Sequence, residues 1–368
     1  MKFPGPDSKE EGGESSALTA LALGSPGCTY YMGHNTNEER LELQRIELAA
    51  RTCYKSEDKM TGDSSVKMFE MLERRGHLAM LRFGERTVKM QRGDWCNLER
   101  ILTNTHQIQY WRWAWAPAAP ETVFVTANLC SWLNLALIVN KGAFSNALRC
   151  FCINAFEGWP HVQKVVRERV GEYYMHEDYN PIYVKDVSVF DLVELRDDHG
   201  YNLFRYCFRV VCDRGISHEI VRHTTLSYAQ ESTRWINYGG KKDRGLADLV
   251  FKPEHLEGHP AWNIFTDEGN FLQAMAEAYK AYQHWTNEDN PCRLVPGDAR
   301  NFFPHCLKTE LCISGYIDKS PIGKEFNQGF SHFIDMRAAK DAHKGVQVIA
   351  RAMAEALGYP LPDNAEEK

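Results

Sequence analysis

The chain has 368 residues, is 43% hydrophobic and 25% charged, and carries a formal net charge of −6. That is the make-up of a soluble globular protein with one large or two ordinary domains. A net acidic chain lacks the basic footprint of a general nucleic-acid binder, so no nucleic-acid polymer is expected as a partner; a local basic pocket for a small anion stays open.

Residues 1–27 are rich in Gly, Ser, Glu and Pro and are expected to be disordered, with structure beginning near Tyr30. The apolar patch Ala17 to Leu23 is short and preceded by acidic residues, so it reads neither as a secretion signal nor as a membrane span. The 11 cysteines are odd in number and form no CxxC pair; Cys150 and Cys152 are spaced poorly for a zinc knuckle. Reduced thiols and a cytoplasmic location are the expectation.

Apolar residues recur at helical spacing from Asn37 to Tyr54 and from Ser64 to Arg75, the second helix capped by Ser64 or Ser65 and stopped by Gly76. Arg86 to Met90 reads as a strand. Residues 94–195 differ in texture and are expected to be an insertion, mostly helical, with helices over Ser131 to Val139 and Ala143 to Phe156. Within it Trp111, Trp113 and Trp115 alternate. They suit a stacking platform for bases or, better, a half-buried strand or packing ridge, because aromatic residues mostly serve cores.

Leu203 to Cys212 alternates as a strand, and a turn at Asp213 to Gly215 leads into a short helix, Ile216 to Val221. Asp318 to Lys324 reads as an inserted loop, and one helix from Asp335 to Leu357 is ended by Gly358 and Pro360. No internal repeat is visible. The mixed order of strands and helices indicates an α+β fold in a single domain over residues 28–368.

Chemistry concentrates in the run Arg222 to Trp235, which holds two arginines, a histidine and two serines. Fixed positive charge with hydroxyl donors suits a phosphate or another anion, although a solvated loop can carry the same residues. His218 and His223 stand five apart, so on a helix they point about 140° from one another and fail the i, i+4 spacing of a zinc protease. No metal site is expected. Neither GxGxxG, GxxxxGK[ST] nor GxSxG occurs, and Cys53 reads as a packing residue. Arg300 and Arg337 are further anion-binding candidates.

Taken together these segments resemble the flavin-dependent thymidylate synthases. The family signature is Arg-His-Arg, then Ser, then Ser-x-Arg and an aromatic. Here Arg214 to His223 leads on to Ser227 and Gln230-Glu231-Ser232-Thr233-Arg234. Weaker matches keep the family's order: Ala50 to Ser56 with Gly76-His77, Ala299 to Pro304 with Leu307 to Leu311, and His332 to Arg337 with Ala342-His343.

The resemblance implies an α+β homotetramer with shared active sites that methylates C5 of a uracil nucleotide. FAD would be the cofactor, with NADPH and 5,10-methylenetetrahydrofolate as cosubstrates. Arg222, Gln230, Glu231, Ser232, Arg234, Arg300 and Arg337 would bind the nucleotide, with Ser232 and Arg337 catalytic. Arg337 would favour the charge that builds as C5 becomes nucleophilic. Arg222, His223, Thr224, Thr225 and His332 would face the flavin.

The chain departs from the pattern mainly on the cofactor side. Thr224 replaces the second arginine of Arg-His-Arg, and Arg82-Phe83 stands where Glu-His is usual unless Asp198-His199 supplies that pair. Gln328, nine residues before Arg337, replaces another arginine. Three activities follow as alternatives: dUMP to dTMP; methylation or hydroxymethylation of UMP, dCMP or CMP; and nucleotide binding without catalysis.

Overall fold

The computed structural model describes residues 29–116, 119–141, 146–171, 182, 184–198, 201–239, 267–317 and 329–363. The expectations for residues 1–27, Asp318 to Lys324, His199 and Gln328 lie outside the described residues. Along the chain come β1 (Thr29–His34), α1 (Glu39–Tyr54), α2 (Ser64–Arg74), β2 (Glu85–Gln91) and α3 (Arg92–Asn104). There follow β3 (Trp111–Trp115), β4 (Thr122–Asn128), α4 (Leu129–Lys141), α5 (Asn146–Asn154), α6 (Pro160–Val170), β5 (Val184–Asp186) and α7 (Val189–Asp197). The last part holds β6 (Arg205–Asp213), α8 (Arg214–Ile220), β7 (Ser227–Gln230), α9 (Asp267–Thr286) and α10 (Pro296–Ala299). It closes with β8 (Lys308–Tyr316), α11 (Gly329–Arg337) and α12 (Lys344–Leu357).

These elements make an α+β fold with two four-stranded sheets, ordered β1-β6-β8-β7 and β3-β4-β2-β5. The chain divides into two compact units. Unit 1 takes the described residues within Met1–Gly33, Ala50–Asp58 and Cys207–Lys368; unit 2 takes those within His34–Ala49 and Lys59–Tyr206.

In unit 2 the strands β2 and β4 pair antiparallel from Glu85 opposite Asn128 to Gln91 opposite Thr122. Their shared buried face closes with a Thr87 to Thr126 hydroxyl hydrogen bond of 2.8 Å. The alternating tryptophans form β3, as a packing ridge: Trp111 meets Trp132 of α4 at 4.5 Å and Trp113 meets Trp95 of α3 at 5.0 Å between ring centroids. Phe151 and Phe156 complete the cluster around Trp132. Phe83 is fully buried, so a hydrophobic side chain fills the place where the resemblance puts an imidazole.

In unit 1 the central strand β6 is buried along most of its length and pairs on both sides, which is why its sequence is nearly continuously apolar. Asp213 ends it and caps α8, its carboxylate accepting the Ile216 N–H at 2.7 Å. The expected turn at Asp213 to Gly215 is thus a cap and the first helical turn.

Two sequence expectations are corrected. Ser64 does not cap α2: no side-chain cap is present. Its hydroxyl accepts the Thr61 N–H at 2.8 Å and donates to Glu47 at 2.9 Å. The closing helix is not continuous either, because α11 stops at Arg337 and α12 starts at Lys344. Gln347 bridges the break by donating to the carbonyls of Lys340 and Ala342 at 2.9 and 2.7 Å, and His343 caps Gly345 at 3.2 Å. Gly358 ends α12 in the left-handed conformation, φ +57°, as its position suggests.

Candidate nucleotide site

The seven-residue helix α8 is the rib on which the candidate site of unit 1 is built. At its start Arg214 donates to the Glu231 carbonyl at 3.0 Å, just beyond the end of β7. One turn on, the Ser217 hydroxyl accepts from Gln230 Nε2 at 2.8 Å, and Gln230 also reaches Thr309 at 3.2 Å. Towards the helix end Glu219 accepts Arg337 Nη1 through Oε2 at 3.0 Å. The Tyr228 hydroxyl lies 2.8 Å from the carbonyls of both Ile220 and His223, tying β7 to the turn after the helix.

That turn carries Arg222, His223, Thr224 and Thr225. Arg222, Thr224 and Thr225 are exposed, whereas His223 is buried. Arg337 Nε donates to His223 Nε2 at 3.0 Å, so the imidazole accepts there and its proton sits on Nδ1. Burial first, then the Arg337 charge, then His332, push the His223 pKa down to about 4. His223 is therefore neutral at pH 7. The His332 ring lies 5.6 Å from it, so His223, His332 and Arg337 form one corner.

Gly329, at the start of α11, donates its N–H to the Thr225 hydroxyl at 3.1 Å. It has φ +71°, and a Cβ there would stand 2.2 Å from the Tyr316 carbonyl oxygen, so only glycine fits.

A second cluster holds the segment after β7. Ser232 donates its N–H to the Cys53 carbonyl at 2.9 Å, and Glu231 and Glu310 exchange backbone and side-chain contacts at 2.8 and 3.2 Å. The Glu231 carboxylate is buried, accepts the Tyr238 hydroxyl at 2.8 Å and lies 3.6 Å from Lys55 Nζ. Glu231 is thus occupied as an internal brace. Lys55 pairs with Glu310 at 2.6 Å and Arg209 joins it on the other side. Burial alone would raise the Glu310 pKa, but Lys55 and Arg209 hold it down to about 2.

Beyond this brace Ser232, Arg234 and Trp235 come towards the surface, with Trp235 67% exposed. Arg300 is brought to the same segment by α10, because a Cβ built on Gly297 would stand 3.7 Å from the Arg234 backbone. An aromatic cluster of Tyr238, Tyr282 and Phe303 anchors both sides. Arg222, Arg234 and Arg300 are exposed and make no hydrogen bond or ion pair among the described residues; Arg234 lies over the neighbouring Trp235 ring at 5.7 Å.

Sequence reasoning missed Lys55, Arg209, Arg214, Glu219, Tyr238 and Glu310, which hold the expected residues in place. Lys55, Arg214, Glu219 and Glu310 stood inside segments already singled out, yet only tertiary pairing shows what they do. Cys53 is partly buried and its thiol is pushed up to about 12, chiefly by burial. No group of three metal-ligating side chains occurs among the described residues, and no helix among them is long and apolar enough to cross a membrane.

The family model described as Thymidylate synthase complementing protein, Thy1, matches residues 191–363. The flavin-dependent thymidylate synthase of Thermococcus onnurineus is 25% identical over 146 residues, 39% of this chain and 49% of its own length. The chain therefore spans about half the length of that curated relative. A thymidylate synthase structure from Helicobacter pylori, complexed with FAD and dUMP, is 21% identical with a TM-score of 0.30. It covers 42% of this chain and 67% of that one. A UMP/dUMP methylase from Streptomyces cacaoi is 17% identical with a TM-score of 0.32, covering 45% and 71%. Over residues 191–363, just under half of its length, the chain is similar to the Thy1 family.

Proposed function

We propose that unit 1 binds a pyrimidine nucleotide and catalyses its C5 methylation, with dUMP as substrate and dTMP as product. The observation that carries this is the pair of exposed guanidiniums at Arg234 and Arg300, which make no hydrogen bond or ion pair among the described residues, on segments joined to a buried brace that also carries Ser232. Arginines fixed in this way suit a dianionic phosphate.

Arg337 has a different role. It donates to His223 and twice to Glu219, which uses three of about five N–H donors and leaves the rest to face a ligand. Its guanidinium is thereby oriented before substrate arrives. A preorganised cation beside the pyrimidine would stabilise the negative charge that develops as C5 becomes nucleophilic. Neutral His223 keeps that orientation without adding a repelling charge.

The turn after α8 and His332 suit an anionic cofactor: exposed Arg222 offers a cation that makes no hydrogen bond or ion pair among the described residues, Thr224 and Thr225 offer hydroxyls, and His332 offers an imidazole. These would hold FAD, which when bound supplies redox chemistry and one-carbon carriage, with methylenetetrahydrofolate and NADPH as cosubstrates. A homotetramer with shared sites belongs to the same reading and is checked by light scattering. The deciding experiment is a flavin absorbance spectrum with a dUMP titration, followed by tritium release from C5-labelled dUMP. A flavin spectrum that shifts with dUMP, and tritium release, are expected. Absence of both signals would defeat the proposal.

Thr224 supports a second reading in which UMP, dCMP or CMP is the acceptor, or hydroxymethyl the product, because a cation is missing beside the flavin. Mass spectrometry of products from the four nucleotides separates the two.

A further inference from the structure

The two units share a plan that the sequence hides. In unit 1 the order is strand β6, helix α8, strands β7 and β8, then helices α11 and α12, apart from the α9–α10 excursion between β7 and β8. In unit 2 it is strand β2, helix α3, strands β3 and β4, then helices α4 and α5. The strand orders coincide when β2, β3 and β4 are laid on β6, β7 and β8: β1-β6-β8-β7 against β5-β2-β4-β3.

Atomic contacts repeat as well. Each helix after the first strand opens with Arg-Gly, Arg214-Gly215 in α8 and Arg92-Gly93 in α3. Arg214 donates its N–H to the Leu307 carbonyl at 3.0 Å, the residue just before β8. Arg92 donates its N–H to the Glu121 carbonyl at 2.8 Å, the residue just before β4. Both guanidiniums then reach the end of the second strand. Arg214 bonds the Glu231 carbonyl at 3.0 Å, and Arg92 lies over the Trp115 ring at 4.8 Å.

The edge strands are crossed. β1 precedes β2 along the chain but joins the sheet of β6; β5 precedes β6 but pairs antiparallel with β2. Likewise residues 50–58, which follow α1's start in unit 2, belong to unit 1, where Cys53 and Lys55 brace Ser232 and Glu310.

The ligand set is not repeated. Ser232, Arg234 and Arg300 all lie in the connection between β7 and β8. The matching connection in unit 2 is only residues 116–121, at whose ends the Ala116 N–H donates to the Thr122 carbonyl at 2.9 Å and the Thr122 N–H to the Ala119 carbonyl at 2.7 Å. The sequence of that connection has no arginine or serine. The helix after β4 buries Leu129, Trp132, Leu133, Ala136 and Val139.

We propose that the chain is a tandem duplicate whose halves exchange their leading edge strands, and that only the unit 1 copy retains an anion site, so one chain binds one nucleotide phosphate. The count rests on the nucleotide reading above; the duplication does not. Such a duplicate keeps one copy as scaffold while its first half supplies the brace for the other copy's site.

Equilibrium dialysis of the full chain with dUMP tests the count. One dUMP per chain is expected, lost in the Arg234→Ala, Arg300→Ala double variant. Two per chain would show that unit 2 kept a site and overturn the count. No binding would overturn the nucleotide reading and the count together, leaving the exchange to its own measurement. For that, Lys89→Cys and Lys185→Cys are introduced as a pair, since these residues stand opposite one another on β2 and β5. Treatment with a short bis-maleimide should link them within one chain, giving a cross-linked peptide by mass spectrometry that the single variants lack. Absence of that peptide overturns the exchange.

Discussion

At the scale of single residues, Arg300 and Arg337 are expected to fail in different ways. Arg300 is exposed and unpartnered among the described residues, so its value lies in the ligand it holds. Arg300→Ala should weaken dUMP binding by about 1.5–3 kcal/mol, roughly ten- to hundredfold in Kd. Arg337 is oriented by His223 and Glu219 at 3.0 Å each and, under the proposed function, would face the reacting ring, so Arg337→Ala should lower kcat more than it raises KM. Steady-state kinetics on both variants checks the split; equal effects on KM alone would remove Arg337 from the chemistry.

His223 carries a pH signature. Its folded pKa of about 4 lies below the ordinary 6.5, so the unfolded chain binds the proton first as pH falls. Stability is complete above pH 6.5 and is lost as pH falls towards 4, by about 2 kcal/mol at pH 5 on linkage grounds. Glu310 acts in the same direction in a lower window, between 4.5 and about 2. Urea unfolding at pH 7.5 and pH 5 should show a smaller loss in His223→Gln than in the wild type. The same loss in both would assign the dependence to other groups. The histidine was legible in the sequence as a member of its motif, but its protonation state was not. That follows from burial and from Arg337, which lies 114 residues away.

At the scale of elements, local pattern located what local physics decides. The helices α1 and α2, the strand β6 and the tryptophan ridge β3 all follow from apolar periodicity and were readable. The continuous closing helix was not, because Ala338, Ala339 and Lys340 are good helix formers that carry the apolar pattern across the break. The break is set by Gln347 and His343, whose bonds to the loop backbone no propensity scale registers. At its other end α11 depends on Gly329. Gly329→Ala would demand a left-handed φ of +71° and place a methyl group 2.2 Å from a carbonyl oxygen. A loss of at least about 1–3 kcal/mol is expected, measured by urea unfolding, together with weaker nucleotide turnover as Arg337 shifts. Unchanged stability would mean that the loop before α11 relaxes freely.

At the scale of the whole molecule, the motif residues were legible and the arrangement of the chain was not. The two copies of the plan differ in the length of nearly every connection, and α3 has 13 residues where α8 has 7, so no fixed period survives. What persists is the Arg-Gly at the strand-to-helix junction, whose backbone N–H bonds the residue before the third strand and whose guanidinium reaches the end of the second. Division of labour between the units follows from the same comparison and can be tested in unit 2. Trp132 is buried there among Trp111, Phe151 and Phe156 and donates to the Arg86 carbonyl at 3.2 Å. Trp132→Phe removes that donor and part of the packed ring, which should cost about 1–3 kcal/mol in urea unfolding. Because every candidate nucleotide ligand lies in unit 1, the Kd for dUMP at 25 °C should stay within about twofold of wild type, less than 0.5 kcal/mol. An affinity loss as large as that of Arg300→Ala would mean that unit 2 supplies the nucleotide with more than a scaffold.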